Sequence, residues 1–410
     1  MEGTKEYVAG QAEAIREELI QLSHDIHSHP ECGFEEYYAC DRIAGLLRSH
    51  GFRVDTGTGG LATAFTAVKK SGVSGGCQNG PKIAFLAEYD ALEGLGHGCG
   101  HNMIAAMAAG AGIALSSVLD RLGGTVYVIG TPGEETKGGK ILMQAQGAFA
   151  DVDYVLMCHP TSGPSMVQRS ARGCTTVYAG FTGKSAHSSN PASGINALTA
   201  VRAAFSNIDL MHPCFRFQDT VNGVIRQGGQ ANNVIPGEAS CEFCLRSRTL
   251  GDLERLVGIV KHCAETAAML TGARADIHVD PLFSERYPNI PMGQAFKENL
   301  ESLGEPVSYP DPMGFYGSSD VSNLSLHMPV IHEYISIAPG EVNGHSPEFA
   351  AAAASEKGDR ACILGAKALA MTGFDILSSS RLQREIQEAF ERQVPAMYRT
   401  QDCPGNKRML

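Results

Sequence analysis

No run of Lys and Arg occurs anywhere in the 410 residues, and the formal net charge is −11. A nucleic-acid or anionic-membrane surface is therefore not expected. The first residues, Met1-Glu2-Gly3-Thr4-Lys5-Glu6, contain no apolar segment, so no secretory leader is expected either. The longest low-charge run, 103–119, has 17 residues rich in Ala and Gly, and reads as a buried helix and not as a membrane span. Twelve cysteines are present but form no dense disulfide framework. These absences together predict a cytoplasmic protein with free thiols. Internal repeats and long linkers are lacking too; the nearest to a linker, 70–76, reads as a surface loop. What remains is ordinary for a globular chain, 43% hydrophobic and 19% charged, with length for roughly two to three domains.

The stretch that organises the rest is 88–102, Glu-Tyr-Asp-Ala-Leu-Glu-Gly-Leu-Gly-His-Gly-Cys-Gly-His-Asn. It follows an apolar strand-like run, 83–87, and precedes the helix-like run 103–119. Glycine lets backbone turn sharply and approach closely, and acids, His and Cys are the donors that divalent metals take. Its glycines miss the dinucleotide fingerprint, because no Gly stands three residues after Gly96 or Gly98.

An amphipathic helix is expected over 5–24, from Val8, Ala12, Ile15, Leu19 and Leu22 at helical spacing. The histidines at 24, 27 and 29 read as structural, since only His24 and His27 share a helix face and Pro30 ends the element. A second helix is expected over 38–50, and short strands over 52–54 and 63–68. Strands at 83–87, 125–129 and 152–157 then alternate with helices at 103–119 and 138–147, and a fourth strand at 330–337 comes much later. That alternation predicts an α/β fold with a mostly parallel sheet and helices on both faces. A helix entry follows the fourth strand at Ser346-Pro347-Glu348. Between about 171 and 285 the rhythm changes to βαββαβ, a ferredoxin-like order. The expected organisation is a catalytic domain in two parts, 1–170 and 286–410, with an inserted domain at 171–285.

In open parallel sheets, ligands bind beyond the carboxyl ends of the strands. Cys99 and His101 follow the first strand, Glu134 and Glu135 the second, His159 the third and His345 the fourth. Any one of these is ordinary alone; four strand ends all supplying donor residues point to a metal site. The number of donors exceeds the three protein ligands of a usual catalytic zinc. It suggests two divalent ions, with one glutamate left free as a general base. Zinc or manganese suits such donors, and nickel or cobalt is possible. Cys241 and Cys244 also invite a redox or zinc reading, but they sit three apart in a predicted strand and point to opposite faces, so they read as strand residues.

Eight motifs resemble the aminoacylase / carboxypeptidase G family of dinuclear metallohydrolases. They are His-x-His-Pro-Glu at 27–31, Glu-Tyr-Asp-Ala-Leu at 88–92, Gly-His-Gly-Cys-Gly-His-Asn at 96–102, Gly-Glu-Glu at 133–135, Cys-His-Pro at 158–160, Gly-Lys-Ser-Ala-His at 183–187, Asn-Val-Ile-Pro at 233–236 and Gly-Ser-Ser-Asp at 317–320. The resemblance is nearest to the amidohydrolase branch, with its indole-acetyl-amino-acid, p-aminobenzoyl-glutamate and β-alanyl-lysine hydrolases. It implies a zinc-exopeptidase-like fold, and metal binding by Cys99, His101, Glu135, His159 and His345, with Cys99 bridging. It implies Glu134 as the base, His187 as a stabiliser of the oxyanion, and Asn233 and Arg246 as holders of a substrate carboxylate. It also suggests a homodimer through the inserted domain, with His187 reaching the other protomer's site. Asn102 stands where this branch commonly has Asp, and Asp90 is expected to substitute for that acid. The activity so implied is hydrolysis of a small amide. A metallo-dipeptidase or carboxypeptidase, a cysteine hydrolase using Cys99, and a metal scaffold without turnover stay open alongside it.

Overall fold

The computed structural model describes residues 4–72, 80–311, 314 and 316–399. Of the loop expected at 70–76, residues 73–76 lie outside the described residues. In chain order come helices α1 (Lys5–Ala14), α2 (Arg16–Ser28) and α3 (Tyr37–Ser49), strands β1 (Arg53–Thr56), β2 (Phe65–Lys70) and β3 (Lys82–Ala87), and helices α4 (His101–Ser116) and α5 (Leu119–Leu122). Next are β4 (Thr125–Gly130), α6 (Gly139–Ala145), β5 (Tyr154–Ser162) and β6 (Ser165–Met166). A second run holds β7 (Gly173–Thr182), β8 (Ala186–His187), α7 (Ala197–Leu210), β9 (Thr220–Gln227), β10 (Val234–Ile235), β11 (Glu238–Ser247), α8 (Leu250–Thr271) and β12 (Arg274–Val279). The chain closes with α9 (Ile290–Ser302), β13 (Val307–Ser308), α10 (Val321–Leu324), β14 (Val330–Ala338), α11 (Pro347–Ala353), α12 (Glu356–Ser378), α13 (Ser380–Gln393) and α14 (Ala396–Arg399). By contacts it divides into two compact units, 4–170 with 286–399, and Ala171–Glu285.

The first unit is built on an eight-stranded sheet in the order β1-β2-β4-β3-β5-β14-β6-β13. Its centre, β4-β3-β5-β14, is parallel, while β1 and β2 form an antiparallel edge. Ile83 to Ala87 are all buried, so both faces of the sheet are covered, as parallel strands require. Helix α4 is buried along its whole length, and two of its glycines let neighbours close in. A Cβ at Gly112 would stand 2.3 Å from Val128, and one at Gly110 would stand 2.5 Å from Leu19. Helix α12 is long and apolar enough to cross a bilayer, but 72% of its most apolar window is buried, and it packs on α4 as a core helix.

Three local readings change. The opening helix is two, because Ile15 leaves helical geometry at φ −106° and ψ 17°. The third parallel strand runs on to Ser162, which puts His159 inside it and not after it. Two short strands, β6 and β13, extend the sheet beyond β14, and their two-residue length gave no periodicity to read. The histidines of α2 are tied structurally: His24 Nε2 lies 2.7 Å from Asp359 Oδ1, and His27 Nε2 lies 2.9 Å from the Ala350 carbonyl.

The second unit is a four-stranded antiparallel sheet in the order β12-β7-β11-β9. Val177, Ala179 and Phe181 on β7 alternate inward onto a core shared with α7 and α8. Asn196 caps α7 by accepting from the Thr199 amide, and Thr249 caps α8 by accepting from the Asp252 amide. Cys241 is buried and Cys244 half-buried on β11, on opposite faces, which removes the Cys-x-x-Cys reading.

Candidate metal centre

The turn after β3 delivers Cys99 and then starts α4 at His101. Gly100 makes this possible: its φ is +75°, and a Cβ there would stand 2.5 Å from Pro160. The turn after β4 carries Glu134 and Glu135 behind Gly133, whose φ is +68°. Buried Glu36 holds that turn, accepting from the Gly133 amide at 2.8 Å and from the Thr63 hydroxyl at 2.8 Å. Burial pushes the Glu36 carboxyl up to about 7. His345, beyond β14, takes a left-handed φ of +58°, uncommon for a side chain with a Cβ, and its amide donates to the Gly98 carbonyl at 2.9 Å.

The ring nitrogens are oriented by fixed acceptors. His101 Nδ1 lies 2.9 Å from Asp90 Oδ1 and 3.0 Å from the Asp90 carbonyl. Both are acceptors, so Nδ1 carries a proton, and the ring is fixed with Nε2 turned toward the centre. That Nε2 is buried with no hydrogen-bond partner among the described residues. His159 Nδ1 lies 2.6 Å from the Pro160 carbonyl, and its Nε2 faces Cys99 Sγ at 3.5 Å. The other Asp90 oxygen accepts from the Glu135 amide at 2.8 Å, so one aspartate orients two donors. Glu135 Oε1 stands 3.1 Å from His345 Nε2 and 3.9 Å from His101 Nε2.

Donor atoms of Cys99, His101 and His159 all lie within 4.8 Å of one another, as do those of Cys99, Glu135 and His345, and those of His101, Glu134 and Glu135. The first two sets share Cys99. Burial raises the Cys99 thiol, and burial with the nearby His101 charge holds His159 down at about 4. A thiol nucleophile needs a lowered thiol, which burial opposes at Cys99. Burial opposes charging His101, but Cys99 and Asp90 outweigh it and raise its pKa well above the usual range. Converging ring nitrogens, a half-buried thiol and the Glu135 carboxylate fit divalent cations, which would deprotonate the thiol outright.

Glu134 lies in a second acidic set with Glu88 and Asp320. Burial first, then Glu135, Glu88 and Asp320, raise its carboxyl well above the usual range. Sequence reasoning gave Glu88 and Asp320 no role, though both fall in quoted motifs, and it missed Lys140. The Lys140 side chain is fully buried, its Nζ 2.5 Å from Glu88 Oε1 and 2.7 Å from Asp320 Oδ1. A lone Lys in a short helix carries no sequence signal of burial. Asn102 is not at the centre: its amide donates to Ser23 Oγ at 2.9 Å and reaches the Ser23 and Ala353 carbonyls at 3.4 Å. A carboxylate there would face three oxygens, which accounts for Asn in place of Asp.

His187, Asn233 and Arg246 lie in the second unit. His187 pairs with Val234, and the Ser188 amide donates to the Asn233 carbonyl at 2.9 Å, so His187 and Asn233 share one end of the sheet. The Ser189 amide donates to His187 Nδ1 at 3.2 Å, leaving Nε2 of the neutral ring as the exposed donor. Arg246 is opposite Cys174, eight ladder positions from the Glu238–Thr182 pair at that end, roughly 26 Å along the strand.

A sequence-family model for the peptidase family M20/M25/M40 matches residues 87–361. The chain is similar to the Xaa-Arg dipeptidase of Mus musculus, 31% identical over 403 residues, covering 95% of this chain and 93% of that protein. It is similar to one of the chains of the p-aminobenzoyl-glutamate hydrolase of Escherichia coli, 31% identical over 324 residues, covering 74% of this chain and 66% of that one. Among solved structures, a dinuclear metal-binding peptidase from Bacillus subtilis superposes with TM-score 0.67 at 20% identity, covering 90% of this chain and 99% of that chain.

Proposed function

The chain belongs to the peptidase family M20/M25/M40, and from that premise we propose that it cleaves the amide bond of a small N-acyl amino acid or dipeptide. It is a metal-dependent hydrolase of amide or peptide bonds. The carrying observation is the pair of donor sets that share Cys99, with Glu134 beside them. We read these as two divalent ions, zinc or manganese, held by Cys99, His101, Glu135, His159 and His345.

When bound, such ions polarise the scissile carbonyl and lower the pKa of a water. Glu134 takes a proton from the attacking water and returns it to the leaving nitrogen. His187 offers its Nε2 donor to the oxyanion. Arg246 and Asn233 receive a substrate carboxylate. Within one chain Arg246 and the His187–Asn233 pair stand too far apart to grip one small substrate, which supports a homodimer sharing its sites. The β9 edge, with Val224 and Ile225 exposed, offers a strand for that pairing. The ten cysteines described are free, which supports the cytoplasm as the compartment.

The test is to strip the protein of metal, reload it with zinc or manganese, and screen N-acyl amino acids, aryl-amide glutamates and β-alanyl dipeptides. Activity restored by metal on at least one class is expected. Activity untouched by stripping, or an acyl-thioester trapped on Cys99, overturns the reading.

A further inference from the structure

Next to His159 the first unit carries two arginines that the reading above leaves unused. Tyr334 is opposite His159 across the β5–β14 pairing, with ring centroids 5.7 Å apart. Arg286 is buried, and its guanidinium is consumed internally. It donates to the Arg169 carbonyl at 3.1 and 2.8 Å and to the Tyr334 hydroxyl at 3.1 Å. Arg286 thus fixes the backbone of Arg169.

The Arg169 guanidinium is differently placed. Its central carbon stands 4.6 Å from the Tyr316 ring centroid and 4.6 Å from that of Tyr334. Its Nε is buried and has no hydrogen-bond partner among the described residues. Stacking uses the faces of a guanidinium and leaves its edge of N–H donors to a planar acceptor. No carboxylate among the described residues pairs with it. The acid nearest in sequence on β14, Glu333, accepts from the Gln168 amide at 2.8 Å, and strand alternation sends it to the face away from His332 and Tyr334. His332 adds a second deficit: it is 4% exposed, its ring lies 5.4 Å from that of His159, and its Nε2 has no partner among the described residues.

We propose that Arg169, held between Tyr316 and Tyr334, is a specificity-determining residue that receives a carboxylate of the substrate beside the metal centre. The inference rests on the amide-hydrolase reading and names a contact that reading lacks. The carboxylate has two possible sources in a released amino acid, the main chain or an acidic side chain. A two-pronged guanidinium–carboxylate contact suits either.

The experiment uses three substrates with one acyl group: N-acyl-glutamate, N-acyl-glutamine and the α-amide of N-acyl-glutamate. The metal-loaded wild type is compared with Arg169→Met, which keeps the apolar stem, and Arg169→Lys, which keeps charge without the fork. Losing a hydrogen bond between charged groups lowers kcat/KM or affinity by about tenfold to a hundredfold. A loss of that size confined to substrates that keep the side-chain carboxylate assigns Arg169 to it. A loss confined to those that keep the main-chain carboxylate assigns it there. In both cases Arg169→Lys should recover part of the loss. Equal loss on all three substrates, or none on any, overturns the proposal. Calorimetric binding of glutarate to wild type and Arg169→Met separates the two readings. If the wild type hydrolyses nothing but glutarate binds and weakens at least tenfold in the variant, the subsite stands and the hydrolase assignment falls. If glutarate binding is the same in both proteins, the subsite falls.

Discussion

The two units hold their candidate functional side chains in opposite ways. In the first, His101, Asp90 and Glu88 are at most 1% exposed, and each polar group is aimed by another: Asp90 by the Glu135 amide, His101 by Asp90, Glu88 by Lys140. In the second, His187 is exposed, and among the described residues its ring is held by Ser189, two residues on. Arg246 stands at the other end of the same sheet. The first arrangement is organised before substrate arrives. The second supplies groups whose placement depends on what they meet.

The comparison breaks first at Glu134. Glu134→Gln should keep its metal and lose roughly 10²–10⁴-fold in kcat, whereas Glu135→Gln should lose metal as well. Elemental analysis beside kinetics reads this, and equal metal loss in both variants would reverse the roles. Asp90 comes next. Asp90→Asn leaves His101 free to choose the wrong tautomer, and metal affinity should fall about 10- to 100-fold in a chelator competition. An unchanged affinity would mean that packing alone aims the ring.

The second unit is tested by mixing protomers. His187→Ala and Glu134→Gln proteins should each be nearly inactive. Co-refolded in equal amounts, they should regain about a quarter of wild-type activity, because half the dimers would hold one intact site. Mixed dimers seen by native mass spectrometry without activity would place His187 in its own protomer's site or out of catalysis. Arg246→Lys should raise KM about tenfold for a carboxylate substrate and hardly at all for its amide; a parallel rise ends the carboxylate assignment.

The smallest effect belongs to Asn102. Asn102→Asp turns a donor into a carboxylate among three oxygens and should cost about 1–3 kcal/mol in denaturant unfolding. The reason is local, and it also marks the limit of reading by motif. The residue type at 102 stood out in the sequence, but its partners, Ser23 and Ala353, are 79 and 251 positions away.

The same limit runs through the chain. The parallel strands were legible because buried strands are continuous apolar runs, and the donor residues because they cluster at the ends of those runs. Lys140 was not legible, since a helix position is buried or exposed only once the chain has folded. Nor was the Arg169 stack, whose partners come from 147 and 165 positions further on. The break at Ile15 was hidden because the apolar spacing of Val8, Ala12, Leu19 and Leu22 carries through it.

Helix α4 begins with His101, and all sixteen of its residues are buried. It has no solvent-facing side from which to fray, and Gly110 and Gly112 leave no slack against Leu19 and Val128. The amides at its centre should therefore exchange with deuterium only when the whole first unit opens. Heat inactivation and loss of the fold would then be one event, with no partly active species between them.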